Sequence, residues 1–194
     1  RFTDLEWVTP QFEEDASSVR IRADVHLDGH VFTKIITIAK YTEEVTLAYL
    51  PGTLPRPVGA VRMAILTFNT AQLSPPLHLA FQNGGALFEH FVLESEFDHS
   101  QAVSAFVSSR CSLGTTSGKV VIGNPTHALE LTWDPAQCAA IPMLVNRKSH
   151  KENFVRILFS QSEVDDTFKT GGKLLNFALT LRPAPAATLT APPH

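Results

Sequence analysis

The 194-residue sequence predicts an all-β fold of antiparallel strands in a single domain. Apolar and polar side chains alternate with a period of two along nearly the whole chain, and convincing helical periodicity is almost absent. About a dozen such segments follow one another at close to the roughly 8–12-residue spacing that is typical of sandwiches and barrels. The connectors are rich in Gly, Asn and Pro, whose backbone preferences suit tight turns.

The clearest strand is predicted over Val19–Leu27. Its apolar side chains alternate with charged or polar ones, which is the pattern of an antiparallel strand with one face on a core and the other in water. Asp28-Gly29 follows as a turn signal, and Val31–Ile38 then resumes with β-forming residues. Two strands joined by a tight turn are therefore expected here.

The other candidate strands are also short and are flanked by turn residues. They are Val45–Leu50, Val61–Phe68, Leu77–Phe81, Leu87–Leu93, Val103–Val107, Val120–Ile122, Ala128–Trp133, Pro142–Val145, Phe154–Phe159 and Leu174–Leu181. Helical character is suggested only around Ser100–Phe106, a segment too short to be a stable helix alone.

One domain is predicted over residues 1–182, because no charge run, low-complexity stretch or internal repeat divides this part of the chain. After Arg182 the composition changes to Pro, Ala and Thr, so residues 183–194 are predicted to be an extended linker or a disordered tail. The chain begins at Arg1 without an initiator Met or a signal pattern, and we expect it to be a piece of a longer protein.

Composition argues against several classes of partner. Sixteen Lys and Arg residues against 19 Asp and Glu give a formal charge of −3, which does not provide the cationic surface that nucleic-acid binding requires. No apolar run approaches the roughly 18 residues that span a bilayer. Hydrophobic residues make up 44% of the chain, enough for a large core. We expect a compact soluble domain with no nucleic-acid or membrane partner.

Cofactor and metal motifs are absent from the sequence. No histidine shows metal-ligand spacing, and neither a nucleophile elbow nor a phosphate-binding Gly-rich loop is present. Cys111 and Cys138 do not form a CxxC pair, and we favour two buried, reduced thiols over a disulfide bridge. The sequence thus predicts no metal and no cofactor, and the cysteines do not indicate a cellular compartment.

A first candidate site follows the turn at Asn83-Gly84-Gly85, where Glu89 and His90 come a few residues later. In a strand these two side chains point to opposite faces, so a simple hairpin explains the segment. The functional alternative places one of the pair on a concave sheet face, as a sugar-binding or acid/base group.

A second candidate is the acidic run Glu163, Asp165 and Asp166, closely preceded by Arg156. Clustered carboxylates can bind Ca²⁺ or a sugar hydroxyl, although the loop pattern of a calcium site is missing. Pairing of a carboxylate with Arg156 is favoured over a metal.

Strand alternation also predicts which side chains of the Arg156 segment enter the core. Val155, Ile157 and Phe159 share a wholly apolar face, whereas Arg156 lies on the opposite face. A partly buried guanidinium there requires an acceptor, and Glu163 or Asp165 is the expected one, although a sugar hydroxyl or a neighbouring domain would also serve.

Aromatic side chains are the remaining candidates for sugar contact. Trp7, Trp133, Tyr41 and Tyr49 could stack on pyranose rings, but core or core-edge positions are favoured for them.

Several of these segments occur in a familiar order. Residues 61–98 contain Val-Arg-Met-Ala-Ile-Leu-Thr-Phe-Asn, Asn-Gly-Gly and Glu-His-Phe, and residues 113–118 read Leu-Gly-Thr-Thr-Ser-Gly. Residues 123–134 read Gly-Asn-Pro-Thr-His-Ala-Leu-Glu-Leu-Thr-Trp-Asp, and a strand over residues 154–161 leads into Ser-Glu-Val-Asp-Asp-Thr. This order resembles the β-supersandwich domains of the galactose-mutarotase-like class. It is closest to those appended to glycoside hydrolases that act on α-glucans or mannosides.

The resemblance, which covers about two thirds of the chain, implies two large antiparallel sheets packed face to face, one of them concave. It also implies a noncatalytic, carbohydrate-associated module of a larger polysaccharide-active protein, with neighbouring domains and a polysaccharide or oligosaccharide as partners. Its expected ligand-binding residues are Asn83, Glu89, Arg156, Glu163 and Asp165.

Two other functions stay open. One is a mutarotase-like epimerase, in which Glu89 or Glu163 acts as the base with His90 or His127. The other is a structural or protein-interaction sandwich without a glycan site.

Overall fold

A computed structural model describes residues 8–27, 29–53, 61–70, 77–82, 87–93, 96–98, 115, 117–148, 153–161, 174–185 and 189. The predicted all-β, two-sheet, single-domain fold is confirmed: these residues form thirteen strands in two antiparallel sheets, with no α-helix among them. The strands are β1 Gln11–Glu14, β2 Ser18–Leu27, β3 His30–Ala39, β4 Val45–Leu50, β5 Val61–Asn69, β6 His78–Phe81, β7 Glu89–Val92, β8 Phe97–Asp98, β9 Lys119–Gly123, β10 Ala128–Thr132, β11 Ile141–Lys148, β12 Asn153–Gln161 and β13 Phe177–Ala184.

The two sheets differ in size. The large sheet has nine strands in the order β1-β2-β3-β4-β13-β10-β9-β6-β7, and the small sheet has four in the order β5-β12-β11-β8. The last of the described strands in chain order, β13, therefore lies in the middle of the large sheet, between β4 and β10. We call the face of the large sheet that packs on the small sheet its inner face, and the opposite one its outer face.

The strands predicted from alternation are found close to where they were expected. The Val19–Leu27 and Val31–Ile38 segments lie in β2 and β3, which pair from Ser18 to Leu27 around a turn at Gly29 with φ of 81°. The strand predicted over Val103–Val107 and the helical segment around Ser100–Phe106 lie outside the described residues. Strand β1 was not predicted, since its sequence Gln-Phe-Glu-Glu contains one apolar residue.

The core lies between the inner face and the small sheet. The prediction that Val155, Ile157 and Phe159 enter it is confirmed, since all three are fully buried. A series of aromatic rings crosses the core from one sheet to the other, each within 6.4 Å of the next between ring centroids. In order, the rings are Phe32, Tyr49, Phe177, Phe159 and Trp133. The expected core positions of Tyr49 and Trp133 are therefore confirmed. The same expectation is wrong for Tyr41, which is 84% exposed, and Trp7 lies outside the described residues.

A β-bulge interrupts the edge strand β5. Ile157 pairs with Leu66 but Phe159 pairs with Met63, so Ala64 and Ile65 both lie opposite Leu158. Ala64 has a φ of 47°, in the left-handed region that only a few non-glycine residues adopt. The extra residue changes the phase of the strand, and the apolar side chains that pack on the core are Val61 and Met63 before the bulge but Leu66 and Phe68 after it.

The backbone N–H of Ala64, freed by the bulge, donates to the Tyr49 hydroxyl at 2.9 Å. Tyr49 belongs to β4 of the large sheet and is buried, so this hydrogen bond crosses the core from one sheet to the other. A buried N–H without a partner is costly, and the hydroxyl supplies that partner.

The first hairpin is closed by the carboxylate of Asp15. Its Oδ1 accepts the backbone N–H groups of Ser17 and Ser18 at 2.8 and 2.7 Å, and the Ser17 hydroxyl at 2.8 Å. The hydroxyl and backbone hydrogen bonds from these serines hold the pKa of Asp15 well below its usual range.

Some residues after position 182 also belong to the folded structure. Strand β13 ends at Ala184, and Leu189 is buried on the outer face of the large sheet against Ala80 and Val121. The division at residue 182, with a linker or disordered tail after it, stays a prediction.

We expect Tyr49→Phe to lower the free energy of unfolding by about 1–3 kcal/mol, because the Ala64 N–H would remain buried without a partner while the aromatic ring is kept. Chemical denaturation of both proteins measures the difference. Tyr41→Phe removes a hydroxyl from an exposed ring and is the matched control. Equal stability of the two variants would contradict a structural role for the Tyr49 hydroxyl.

The Asp15 turn should make the fold sensitive to acid. A carboxyl whose pKa is lowered by folding stabilises the protein above its unfolded pKa, and this stabilisation is lost as the pH falls. We expect Asp15→Asn to reduce the loss of stability between about pH 7 and pH 3 in urea unfolding. The neighbouring exposed Glu13→Gln is the control, and an unchanged acid sensitivity in Asp15→Asn would contradict the prediction.

Candidate functional site

The predicted site residues around Asn83 lie at one edge of the large sheet. Glu89 and His90 begin β7, with Glu89 exposed and His90 half-buried, and the alternation of the strand places them on opposite faces as expected. His90 Nδ1 is buried with no hydrogen-bond partner among the described residues, and the ring lies 6.5 Å from that of Phe88 between centroids. Asn83 itself lies outside the described residues.

His127 lies in the tight turn between β9 and β10. The Asn124 side chain closes this turn, because its Oδ1 accepts the backbone N–H groups of Thr126 and His127 at 3.0 and 2.7 Å. The His127 ring is exposed and its Nδ1 lies 3.0 Å from the Thr126 hydroxyl. The hydrogen bonds of the described residues therefore do not join His127 to Glu89 or His90 in an acid/base pair.

Arg156 lies in the middle of the small sheet, on the face away from the core. Its Nε donates to the Thr67 hydroxyl of β5 at 3.0 Å, and its guanidinium lies 4.9 Å from the centroid of the Phe154 ring. Glu163 and Asp165, the acceptors expected from the sequence, lie outside the described residues. The pairing and the ligand contact of Arg156 stay predictions.

The structure shows a cleft that none of these predictions located. It lies where the chain leaves β10 and crosses to the small sheet, beside the beginning of β13, and we call it the Trp133 cleft. Its volume is about 340 Å³. Its lining side chains come from two stretches that are distant in sequence: Thr132, Trp133, Asp134, Gln137 and Cys138 from one, and Asn176, Phe177, Ala178 and Thr180 from the other.

Backbone hydrogen bonds fix the first of these stretches. The Trp133 N–H donates to the Gly118 carbonyl at 2.8 Å, and the Asp134 carbonyl accepts from Gln137 and Cys138 at 3.2 and 3.1 Å. The Asp134 side chain also accepts the N–H of Ala136 at 2.9 Å. The crossing is therefore a tight turn that holds polar side chains at the rim of the cleft.

Trp133 forms the inner wall of the cleft. Only 6% of the residue is exposed, and its ring packs edge-on against Phe159 with 5.1 Å between centroids. Stacking of a sugar on the ring face is therefore not available, but the indole Nε1–H is buried without a hydrogen-bond partner among the described residues. A buried donor of this kind calls for an acceptor.

The rim of the cleft offers both donors and acceptors. Gln137 and Asn176 carry amides, Asp134 a carboxylate, and Thr132 and Thr180 hydroxyls. Cys138, a buried free thiol as predicted, lies beside them, and burial raises its pKa to about 11, so it is neutral at ordinary pH. Cys111 lies outside the described residues.

No group of three or more His, Cys, Asp or Glu side chains that could hold a metal ion occurs among the residues that the structure describes. Over the same residues there is no helix of sufficient length and apolar character to cross a membrane.

Comparison with known proteins identifies the fold through solved structures. Neither a protein-family model nor a curated protein sequence matches the chain. The chain is similar in structure to an α-N-acetylgalactosaminidase, NagBb from Bifidobacterium bifidum. The TM-score is 0.65 at 13% identity for that enzyme's GalNAc complex, and 0.62 at 16% identity for its Gal-NHAc-DNJ complex.

Each of these matches covers 94% of this chain but 28% of the enzyme chain. The chain thus has the length of little more than a quarter of the protein that it resembles. At this level of identity the likeness shows a shared fold.

Gly118 positions Trp133 and should not tolerate a side chain. Its φ is +66°, and an added Cβ would lie 2.2 Å from the Trp133 carbonyl oxygen. Gly29 also has a positive φ, of +81°, but open space around it, so Gly29→Ala measures the conformational cost alone, about 1–2 kcal/mol. We expect Gly118→Ala to cost clearly more in denaturant unfolding. Equal losses in the two variants would contradict the close approach.

Proposed function

We propose that this chain is a noncatalytic β-sandwich module of a larger carbohydrate-active protein, and that the Trp133 cleft contacts a glycan. The observation that carries the proposal is the match of 94% of the chain to 28% of a glycoside hydrolase. A fold that recurs as a part of a longer enzyme is consistent with an accessory role beside other domains of the same polypeptide. A shared fold does not fix function, so the site must support the rest.

The chemistry of the cleft supports binding over hydrolysis. Hydrolysis of a glycosidic bond normally uses two carboxyl groups that flank it. Asp134 is the one carboxylate among the described lining residues, and it already accepts a hydrogen bond from the Ala136 N–H. Glu89 and His90 point to opposite faces of β7, which argues against an acid/base pair formed by these two residues.

Glycan contact is supported by the kind of polar groups at the rim. Sugar hydroxyls donate and accept hydrogen bonds, and amides and hydroxyls do the same. The amides of Gln137 and Asn176 are exposed and can reach the hydroxyls of a bound sugar. Direct contacts of a glycan with Asn83, Glu89, Arg156, Glu163 and Asp165 remain part of the proposal, as do the neighbouring domains of the parent protein as partners.

Binding can be tested with the 194-residue chain and a panel of neutral cello-, malto-, chito- and galacto-oligosaccharides, by titration calorimetry. We expect one class to bind, and Gln137→Ala and Asn176→Ala each to weaken its affinity about three- to tenfold, since each removes hydrogen bonds to the ligand. Gln11→Ala changes an exposed side chain of β1, remote in the sheet order, and should bind like the parent.

Absence of binding across the panel, or equal binding by all three variants, would contradict the glycan contact. The noncatalytic part is tested separately, by following the anomeric exchange of glucose and galactose by NMR. We expect no increase over the spontaneous rate. Acceleration that is abolished by His90→Ala or His127→Ala would establish the mutarotase-like alternative in its place.

A further inference from the structure

A row of four threonines crosses the outer face of the large sheet. The strand register pairs Thr37 with Thr46, Thr46 with Thr180, and Thr180 with Thr132. The four residues come from β3, β4, β13 and β10, and each is half-buried. Neighbouring strands lie about 4.8 Å apart, so the row of hydroxyls is about 14 Å long.

The threonine row is bordered on one side by a row of paired charges. The Arg182 guanidinium lies 3.7 Å from the Glu44 carboxylate and 3.9 Å from the Glu130 carboxylate. Lys119 also forms an ion pair with Glu130.

Lys119 pairs with Thr132 in the strand register and so lies at one end of the threonine row itself. Arg20, which pairs with Thr37, lies at the other end. Arg20 lies 3.5 Å from the Asp15 carboxylate, so the three cations around the row are matched by three carboxylates.

On the other side the row is bordered by small side chains. Ala48 and Ala178 pair across β4 and β13, two residues along each strand from Thr46 and Thr180, and therefore on the same face. Their methyl groups lie between Ile35, which pairs with Ala48, and the cleft that Ala178 lines, so side chains rise least from the sheet at these two positions. We call the threonine row and these two alanines the threonine trough.

The threonine trough is continuous with the Trp133 cleft. Thr132 and Thr180 line the cleft and also form one end of the threonine row, and Ala178 belongs to both as well. A ligand that enters the cleft can therefore extend over Thr46 toward Thr37 without leaving the sheet surface.

We infer that the threonine trough is the extension of the cleft for a neutral, unbranched oligosaccharide, which lies across the strands with successive sugar units over successive threonines. This inference rests on the proposed function. The hydroxyls supply donors and acceptors at regular spacing, and the paired charges around the row favour an uncharged, polyhydroxylated ligand over a polyanion. The Thr46 and Thr180 hydroxyls lie 3.5 Å apart, and each retains capacity for a further hydrogen bond.

Paired threonines on neighbouring strands also stabilise a sheet, so the test must separate binding from folding. Thr37→Val and Thr46→Val keep the shape and the β-branching of the side chain and remove only the hydroxyl. Thr9→Val is the control, since Thr9 is exposed and precedes β1 at the far edge of the large sheet. Thermal unfolding of all three variants reports any loss of stability.

The experiment compares affinities for the disaccharide through the hexasaccharide of the series that binds. We expect affinity to rise with length, and Thr37→Val and Thr46→Val to weaken hexasaccharide binding about three- to tenfold each while disaccharide binding is unchanged. Asn176→Ala, at the cleft, should weaken binding at every length. Thr9→Val should leave the affinity unchanged at every length.

Two results would overturn the inference. If the disaccharide and the hexasaccharide bind equally tightly, or if the Val variants at Thr37 and Thr46 bind the hexasaccharide like the parent, the threonine trough is not a binding site, although the cleft still is. If no length of any series binds, the proposed function fails and the inference fails with it.

Discussion

The hydrogen bond from the Ala64 N–H to the Tyr49 hydroxyl ties β5 of the small sheet to β4 of the large sheet. Without the bulge, a single alternation would run through β5, and either Met63 or Leu66 would point away from the core. The bulge lets both halves of the strand bury their apolar side chains, and the hydroxyl satisfies the backbone group that the bulge releases. The small sheet is thereby held at a fixed position on the large one, and the crossing from β10 to β11 that forms the Trp133 cleft depends on that position.

The unequal sizes of the sheets determine where a ligand can bind. The small sheet covers the inner face of the large sheet at its centre, so the polar side chains of the central strands gather on the outer face. Part of that outer face, at Ala80 and Val121, is covered by Leu189. The part over β4, β13 and β10 carries threonines, alanines and paired charges, and this is the surface that we connect with the cleft.

Much of the fold could be predicted from the sequence, because alternation reports directly which side chains face a core. It predicted the hairpin of β2 and β3 and the buried face of β12. It did not predict β1, whose four residues are all exposed, or the bulge, where the alternation itself changes phase. The cleft was missed because its two walls, around Trp133 and Asn176, meet only through the pairing of β10 with β13. The alternation of Asn176 and Ala178 with the apolar Phe177 and Leu179 was the signal available.

The central position of β13 has a consequence for how the molecule folds. Strands β1 to β4 can pair as local hairpins, and so can β9 with β10, but β4 and β10 become joined only through β13, which follows all the other described strands in the sequence. Closing contacts between residues 45–50 and 177–181 is a step of high sequence separation, which is intrinsically slow. Until it occurs, two partial sheets present open edges at β4 and β10, and the nascent chain is most prone to aggregation during that interval.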